Sequence, residues 1–323
     1  LLFTNSSISL KDEKNNIINL KKFNFRNKEN NFYLNAFFDN IKIILKYMIK
    51  GDKNKLIVTI PDIGSESVVT FYNENNLSLT SGNVKSKNLG NNIQFDFKKE
   101  KGKSIEIKNS FFRNSFVSTT FNGTINIKPY FNFDLMLDIK NINKLRSKFY
   151  QLLLSSKDLI RINKDLNGKL KINYVKKNYQ PNYLNKVDIN AFFENGNLIL
   201  KDSYFEFAEG SIILNSILKD YKGYQYFDFE IISQIIDMKK FIKKMTGIKT
   251  IKDQNLDIKI KGDLNIISKK INFDEILLNK DHRLKKSEIS NLKNSFENLV
   301  IKDGVYGFLD EKKISSFLRK ISE

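Results

Sequence analysis

Residues 130–139 read YFNFDLMLDI. In an extended chain successive side chains point to opposite faces. Phe131, Phe133, Leu135, Leu137 and Ile139 then share one side, and Asn132, Asp134 and Asp138 the other. Such a segment is a strand with one apolar and one wetted face, the pattern typical of antiparallel sheets. The same alternation returns in IQFDFKKE (93–100), NLILKD (197–202), SIILNSIL (211–218), YFDFEIIS (226–233) and LDIKIKGDLNII (256–267), with Asn, Gly, Asp and Lys turns between. The fold expected is mainly β, an antiparallel sheet with a few short interspersed helices.

Three segments break the alternation with helical spacing. NINKLRSKFYQLLLSS (141–156) spaces Ile142, Leu145, Phe149, Leu152 and Leu153 on one helix face. IDMKKFIKKM (236–245) does so with Met238, Phe241, Ile242 and Met245, and EKKISSFLRKI near the end with Ile314, Phe317, Leu318 and Ile321. Residues 280–295 are polar and read as a loop or weak helix.

The opening phrase also repeats. Tyr130–Leu135 (YFNFDL) lies over Tyr226–Ile231 (YFDFEI), about 96 residues later, and each copy runs into a helical pattern. LNGKLKI (166–172) lies over KGDLNII (261–267), and IKNSFF (107–112) over LKDSYF (200–205), at nearly the same offset. Matches in the same order at a steady offset predict an internal repeat. NAFFDN (35–40) also echoes NAFFEN (190–195), but at a different offset, and is set aside as coincidence. The division expected is 1–92, a diverged amino-terminal β region with room for a short helix; 93–180, a β unit with a helix at 141–156; 187–275, a β unit with a helix at 236–246; and 276–323, a polar loop and terminal capping helix. Units that cannot close their own cores stack into a long sheet.

The composition, 41% hydrophobic and 12% aromatic, is that of a folded chain. The net charge of +19 invites a nucleic-acid reading, yet it is carried mostly by lysine. Arg26, Arg113, Arg146, Arg161, Arg283 and Arg319 are scattered singly, without the arginine forks that grip phosphates and bases. A solvated lysine surface is expected, with no nucleic-acid partner and some attraction to acidic lipid headgroups. Absence of cysteine excludes disulfides and thiolate sites. No apolar run is long enough to span a bilayer as a helix; the richest stretch, IKIILKYMIK (41–50), carries three lysines. The chain opens LLFTNSS, without methionine, so a fragment or processed product is expected, with a signal peptide or membrane anchor lost upstream.

Catalytic chemistry finds little support. His282 is the single histidine and sits among charges in NKDHRLKK. GKS (102–104) lacks the glycine a phosphate loop needs, Phe97 standing there, and DQNLD (253–257) lacks the glycine and closing glutamate of a calcium loop. Neither an enzyme nor a cofactor or metal is expected.

The repeated phrases YFNFDLMLDIKNINKL and YFDFEIISQIIDMKKF, with FENGNLILKD, FNGTINI, LNGKLKI and IKGDLNII, resemble the AsmA-like family of bacterial envelope proteins. The resemblance covers roughly residues 55–320. It implies an elongated, curved, taco-like β sheet with an apolar concave face, anchored in the inner membrane through a segment missing here and lying in the periplasm. It also implies a role in outer-membrane assembly and phospholipid transport, in company with other envelope proteins.

The residues converge on the same picture. A sheet with a continuous apolar face and few helices must bury that face in itself or lend it to an apolar guest. Candidate positions for phospholipid acyl chains are Phe131, Phe133, Leu135, Leu198, Leu200, Ile212, Leu214, Phe227, Phe229 and Ile231. Two alternatives stay open: a closed sandwich in which these faces pack on one another, and a non-catalytic scaffold or adhesin-like repeat protein binding through sheet edges.

Overall fold

The computed structural model describes residues 2–11, 17–38, 40–72, 79–100, 104–127, 130–142, 162–177, 184–221, 224–246, 255–266, 268, 270–279 and 282–303. The chain divides into two units, Leu1–Pro129 and Tyr130–Glu323. Both are mainly β, as the alternation predicts, with few short helices.

The first unit is a meander of β1 (Leu2–Lys11), β2 (Ile17–Lys28), β3 (Asn31–Phe38), β4 (Ile41–Lys50), β5 (Lys53–Ile60), β6 (Ser65–Tyr72), β7 (Leu79–Asn88), β8 (Asn91–Glu100), β9 (Ile105–Arg113) and β10 (Val117–Asn126). Each strand pairs antiparallel with the next. A 3₁₀ turn at Pro61–Ile63 is the helical element among its described residues, and IKIILKYMIK is strand β4.

The second unit comprises β11 (Asn132–Ile142), β12 (Asn167–Val175), β13 (Leu184–Glu194), β14 (Asn197–Phe207), β15 (Gly210–Tyr221), β16 (Tyr224–Ile235), α1 (Met238–Thr246), β17 (Leu256–Asn265), β18 (Lys270–Leu278), β19 (His282–Arg283) and α2 (Lys286–Asp303). From β12 onward the pairing is antiparallel in chain order. β11 and β12 instead run parallel, from Asn132 opposite Asn167 to Ile139 opposite Tyr174. Parallel neighbours need a crossover of a dozen or more residues, and residues 143–166 make that connection. The helix expected at 141–156 therefore starts too early, because Asn141 and Ile142 still belong to β11. Its remainder lies outside the described residues.

The helix expected at 236–246 is α1. It connects β16 to an antiparallel β17, whereas the matching strand β11 meets a parallel β12. The repeated phrase sets faces and spacing. Strand direction depends on how the connector returns, which the phrase does not encode.

The segment expected to be a polar loop or weak helix is the start of α2. Glu288 Oε2 accepts the Lys285 N–H at 2.6 Å, one half of a capping box, and Ile289 and Leu292 supply an apolar stripe. Glu297 Oε1 accepts the Ile271 N–H of β18 at 3.1 Å, so α2 takes up an amide that β19 is too short to reach. The helix predicted around Ile314, Phe317, Leu318 and Ile321 lies outside the described residues. Beneath the two helices Ile235, Met238, Leu256, Ile276 and Leu292 are buried together, with Phe241, Ile258 and Phe273 packed against them.

One device recurs in both units. Asn5, Lys22, Asn109 and Asp202 have φ of +47°, +50°, +47° and +46°, each at a shift in strand register. These are β-bulges, where one extra residue turns the alternation over. After Leu198 and Leu200, strict alternation would bring Asp202, Tyr204 and Glu206 onto the apolar face. The bulge at Asp202 brings Ser203, Phe205 and Phe207 there instead. Asn and Asp tolerate the left-handed conformation, and at Asn109 and Asp202 the serine that follows takes up backbone groups of the neighbouring strand. Ser110 Oγ accepts the Phe121 N–H at 2.7 Å and donates to the Phe121 carbonyl; Ser203 Oγ accepts the Asn190 N–H at 3.4 Å. IKNSFF and LKDSYF are thus the same bulge written twice.

A β-branched residue at such a bulge is strained. Asp202→Val is expected to cost about 1–3 kcal/mol and Asp202→Gly much less, read from urea unfolding midpoints. Equal midpoints for the two variants would contradict the bulge.

Candidate functional site

Residues opposite each other on neighbouring strands share a face. Following the registers from β11 to β18 gathers Phe133, Leu135, Leu137 and Ile139 with Leu170, Ile172 and Tyr174, then Val187, Ile189, Ala191 and Phe193. The same face continues through Leu198, Leu200, Phe205 and Phe207, Ile212, Leu214 and Leu218, and Phe227, Phe229 and Ile231. It ends in Leu256, Ile258, Ile260 and Leu264 beside Ile271, Phe273, Ile276 and Leu278. Nine of the ten residues singled out from the sequence lie on this one face. Phe131 immediately precedes β11, its ring 6.1 Å from that of Phe133.

None of the ten is buried. Phe131 is 39% exposed and the other nine are half-buried. The buried cluster under α1 and α2 uses none of them. The helices therefore cover the face at β16–β18, with Phe241 of α1 reaching Phe207 edge-on at 5.3 Å, and leave the predicted positions outside that core.

The first unit builds the same kind of face. Phe32, Leu34 and Ala36 stand opposite Tyr47, Leu45 and Ile43, then Leu56 and Val58, Val69 and Phe71, Val84, and Phe95 and Phe97 follow. Ring contacts link Phe3, Phe25, Phe32 and Tyr47 across β1 to β4 at 5.9–6.4 Å. Among its described residues the buried apolar side chains are Phe23, Ala36 and Ile107. The NAFF phrase set aside as coincidence plays one part twice: Ala36 and Ala191 are buried on this face, and Phe38 and Phe193 follow before a turn.

Glycine and phenylalanine alternate across strands in three rows: Phe71–Gly82–Phe97, Phe133–Gly168–Phe193 and Phe229–Gly262–Phe273. In the first two, the outer rings meet over the glycine at 5.9 and 5.5 Å. A Cβ on Gly82 or Gly168 would stand 2.6 Å from the Phe97 or Phe133 ring. The missing side chain is what lets the rings lie down along the sheet.

The opposite face of the second unit is mixed: Phe192, Ile199, Ile213, Ile217 and Ile232 share it with a set of ion pairs. Lys219 pairs with Asp228, and Glu230 with Lys259 at 3.1 Å and Lys261 at 3.3 Å. Lys219, Asp228, Glu230 and Lys261 line a shallow depression of about 820 Å³ with Asn215, Ile217, Tyr226, Asp263 and Asp274. The hydrogen bond from Lys259 holds the Glu230 carboxyl below its ordinary value of 4.5, against the opposing effect of burial and with help from Lys261. No cluster of His, Cys, Asp and Glu suited to a metal occurs among the described residues.

Sequence alternation located the face but missed its bulges and the core beneath α1 and α2. Three of the four bulges were signalled by an Asn/Asp-Ser pair, at Asn5, Asn109 and Asp202; the one at Lys22 was not. No family model, curated protein or solved structure matches the chain.

Because the Glu230 pKa is lowered on folding, its ion pairs stabilise the protein above the ordinary value of 4.5 and cease to do so as pH falls through the folded-state pKa. Urea midpoints of wild type and Glu230→Gln should therefore differ at neutral pH and converge in acid. Parallel pH profiles would show that the pairs contribute nothing.

Proposed function

We propose that this chain is the periplasmic part of an AsmA-like, inner-membrane-anchored protein that holds or conducts phospholipid acyl chains along its apolar β face, in support of outer-membrane assembly. The observation that carries this reading is a face rich in Phe, Leu and Ile that stays half-exposed on strand after strand, with helices over one end only among the described residues. Water is a poor solvent for such a surface, and acyl chains are a fitting guest. Each methylene moved out of water contributes about 0.8 kcal/mol, so tails can be held without a specific polar contact. The phosphate headgroup stays in water, and the chemistry requires no catalytic side chain.

Extraction of the purified protein should release phospholipid detectable by mass spectrometry. Photo-crosslinkers replacing Phe229 and Val69, one on the continuous apolar face of each unit, should capture lipid, and one replacing Asp228, among the ion pairs of the opposite face, should not. Absence of adducts from both apolar positions in folded protein would sink the proposal and favour a scaffold that works through its edges.

A further inference from the structure

Hairpin turns at one end of the first unit carry apolar side chains into water. In a meander, alternate turns lie at the same end of the strands. The turns after β3, β5, β7 and β9 therefore share one end, and those after β2 and β4 the other. The second pair is Glu29-Asn30 and Gly51-Asp52, with no apolar residue in the turns themselves, and Ile49 and Tyr72 are the exposed apolar side chains that flank them. In the first set, Phe38 and Ile41 flank Asn40, Ile63 belongs to the turn at 61–64, Leu89 precedes Gly90, and Phe116 lies in the turn at 114–116. Strands stand about 4.8 Å apart, so these turns follow one another every ~10 Å, in a row about 30 Å long.

Leu89 is the most informative of these residues. It is 75% exposed and has a φ of +46°, followed by Gly90 at +81°. Asn195 and Gly196, between β13 and β14, make the same turn with φ of +52° and +81°. A two-residue turn with both φ positive favours Asn-Gly, and a leucine in the left-handed region is strained. Leu89 therefore costs stability twice, through its backbone and through apolar surface left in water. Asparagine, which the chain uses at the equivalent turn, would avoid both. Ile63 is also exposed, at 38%.

The surroundings are basic. Lys85, Lys87 and Arg113 are exposed on β7 and β9, and Lys42 follows Ile41. The described acids near them are Asp62, whose Oδ2 accepts the Lys42 N–H at 3.0 Å, and Glu66, opposite Lys87. Apolar side chains at the tips with cations behind them match the interfacial layer of a membrane containing anionic lipids.

We propose that this row of turns seats the first unit on an anionic bilayer surface, with Ile63 and Leu89 among the acyl chains and Lys42, Lys87 and Arg113 among the headgroup phosphates. The seat is separate from the acyl-chain face, and neither depends on the other.

The chain contains no tryptophan, so Leu89→Trp places a single fluorophore at the tip. With the whole 323-residue chain and phosphatidylcholine vesicles containing phosphatidylglycerol, its emission should shift to the blue and be quenched by brominated acyl chains. Leu89→Asn should raise the thermal midpoint, because asparagine suits the turn, and lower the vesicle-bound fraction in flotation about tenfold. Ile63→Ser added to it should lower the fraction further. Emission from position 89 that ignores the vesicles, or a Leu89→Asn chain that floats as well as wild type, overturns the proposal and points to a protein partner for the row. Crosslinking from position 229 reports on the acyl-chain face separately.

Discussion

A strand has two faces, and hydrogen-bonded pairing commits every neighbour to the same choice. A slip of one residue anywhere would carry Phe and Ile into water and Lys and Asp onto the apolar side. The protein keeps one face apolar through ten strands in one unit and eight in the other. Its turns, bulges and glycines all serve that constraint.

The bulges show the constraint at work. Where alternation in the sequence would turn the wrong side chains inward, one residue (Asn5, Lys22, Asn109 or Asp202) adopts a left-handed conformation and the pattern restarts one residue later. The ladder broken there is mended by a serine hydroxyl, as at Phe121, or by an asparagine side chain, as where Asn215 Oδ1 accepts the Asp202 N–H at 2.6 Å. The glycine rows act at the other extreme of size. Gly82 and Gly168 leave the sheet bare where two rings must share the space above it.

Much of this was legible in the residues. YFNFDLMLDI reads directly as β11, and all ten positions chosen by alternation fall on or beside one face, because period-two patterning depends only on the pleat. The parallel step from β11 to β12 was not legible, since strand direction is decided by the connector and not by either strand. Nor was α2, whose first turn reads as KSEISN and looks polar until Ile289 and Leu292 meet β18 and the other helix. Phe205 and Phe207 could be assigned to a face only by recognising that Asp202 bulges.

The order of strand pairing has a consequence for how such a chain can change over generations. Nearly every strand bonds only to its predecessor and its successor, so a hairpin can be gained or lost without rewiring the rest. Two added strands restore the original direction, keep every later turn at its own end and leave the apolar face unbroken. The sheet can therefore lengthen in heritable steps of one hairpin, close to ~10 Å each. Adding a single strand would exchange the two ends of everything downstream. A parallel step such as β11 to β12 has the same effect, which gives this architecture a way to reverse its ends without reversing its faces.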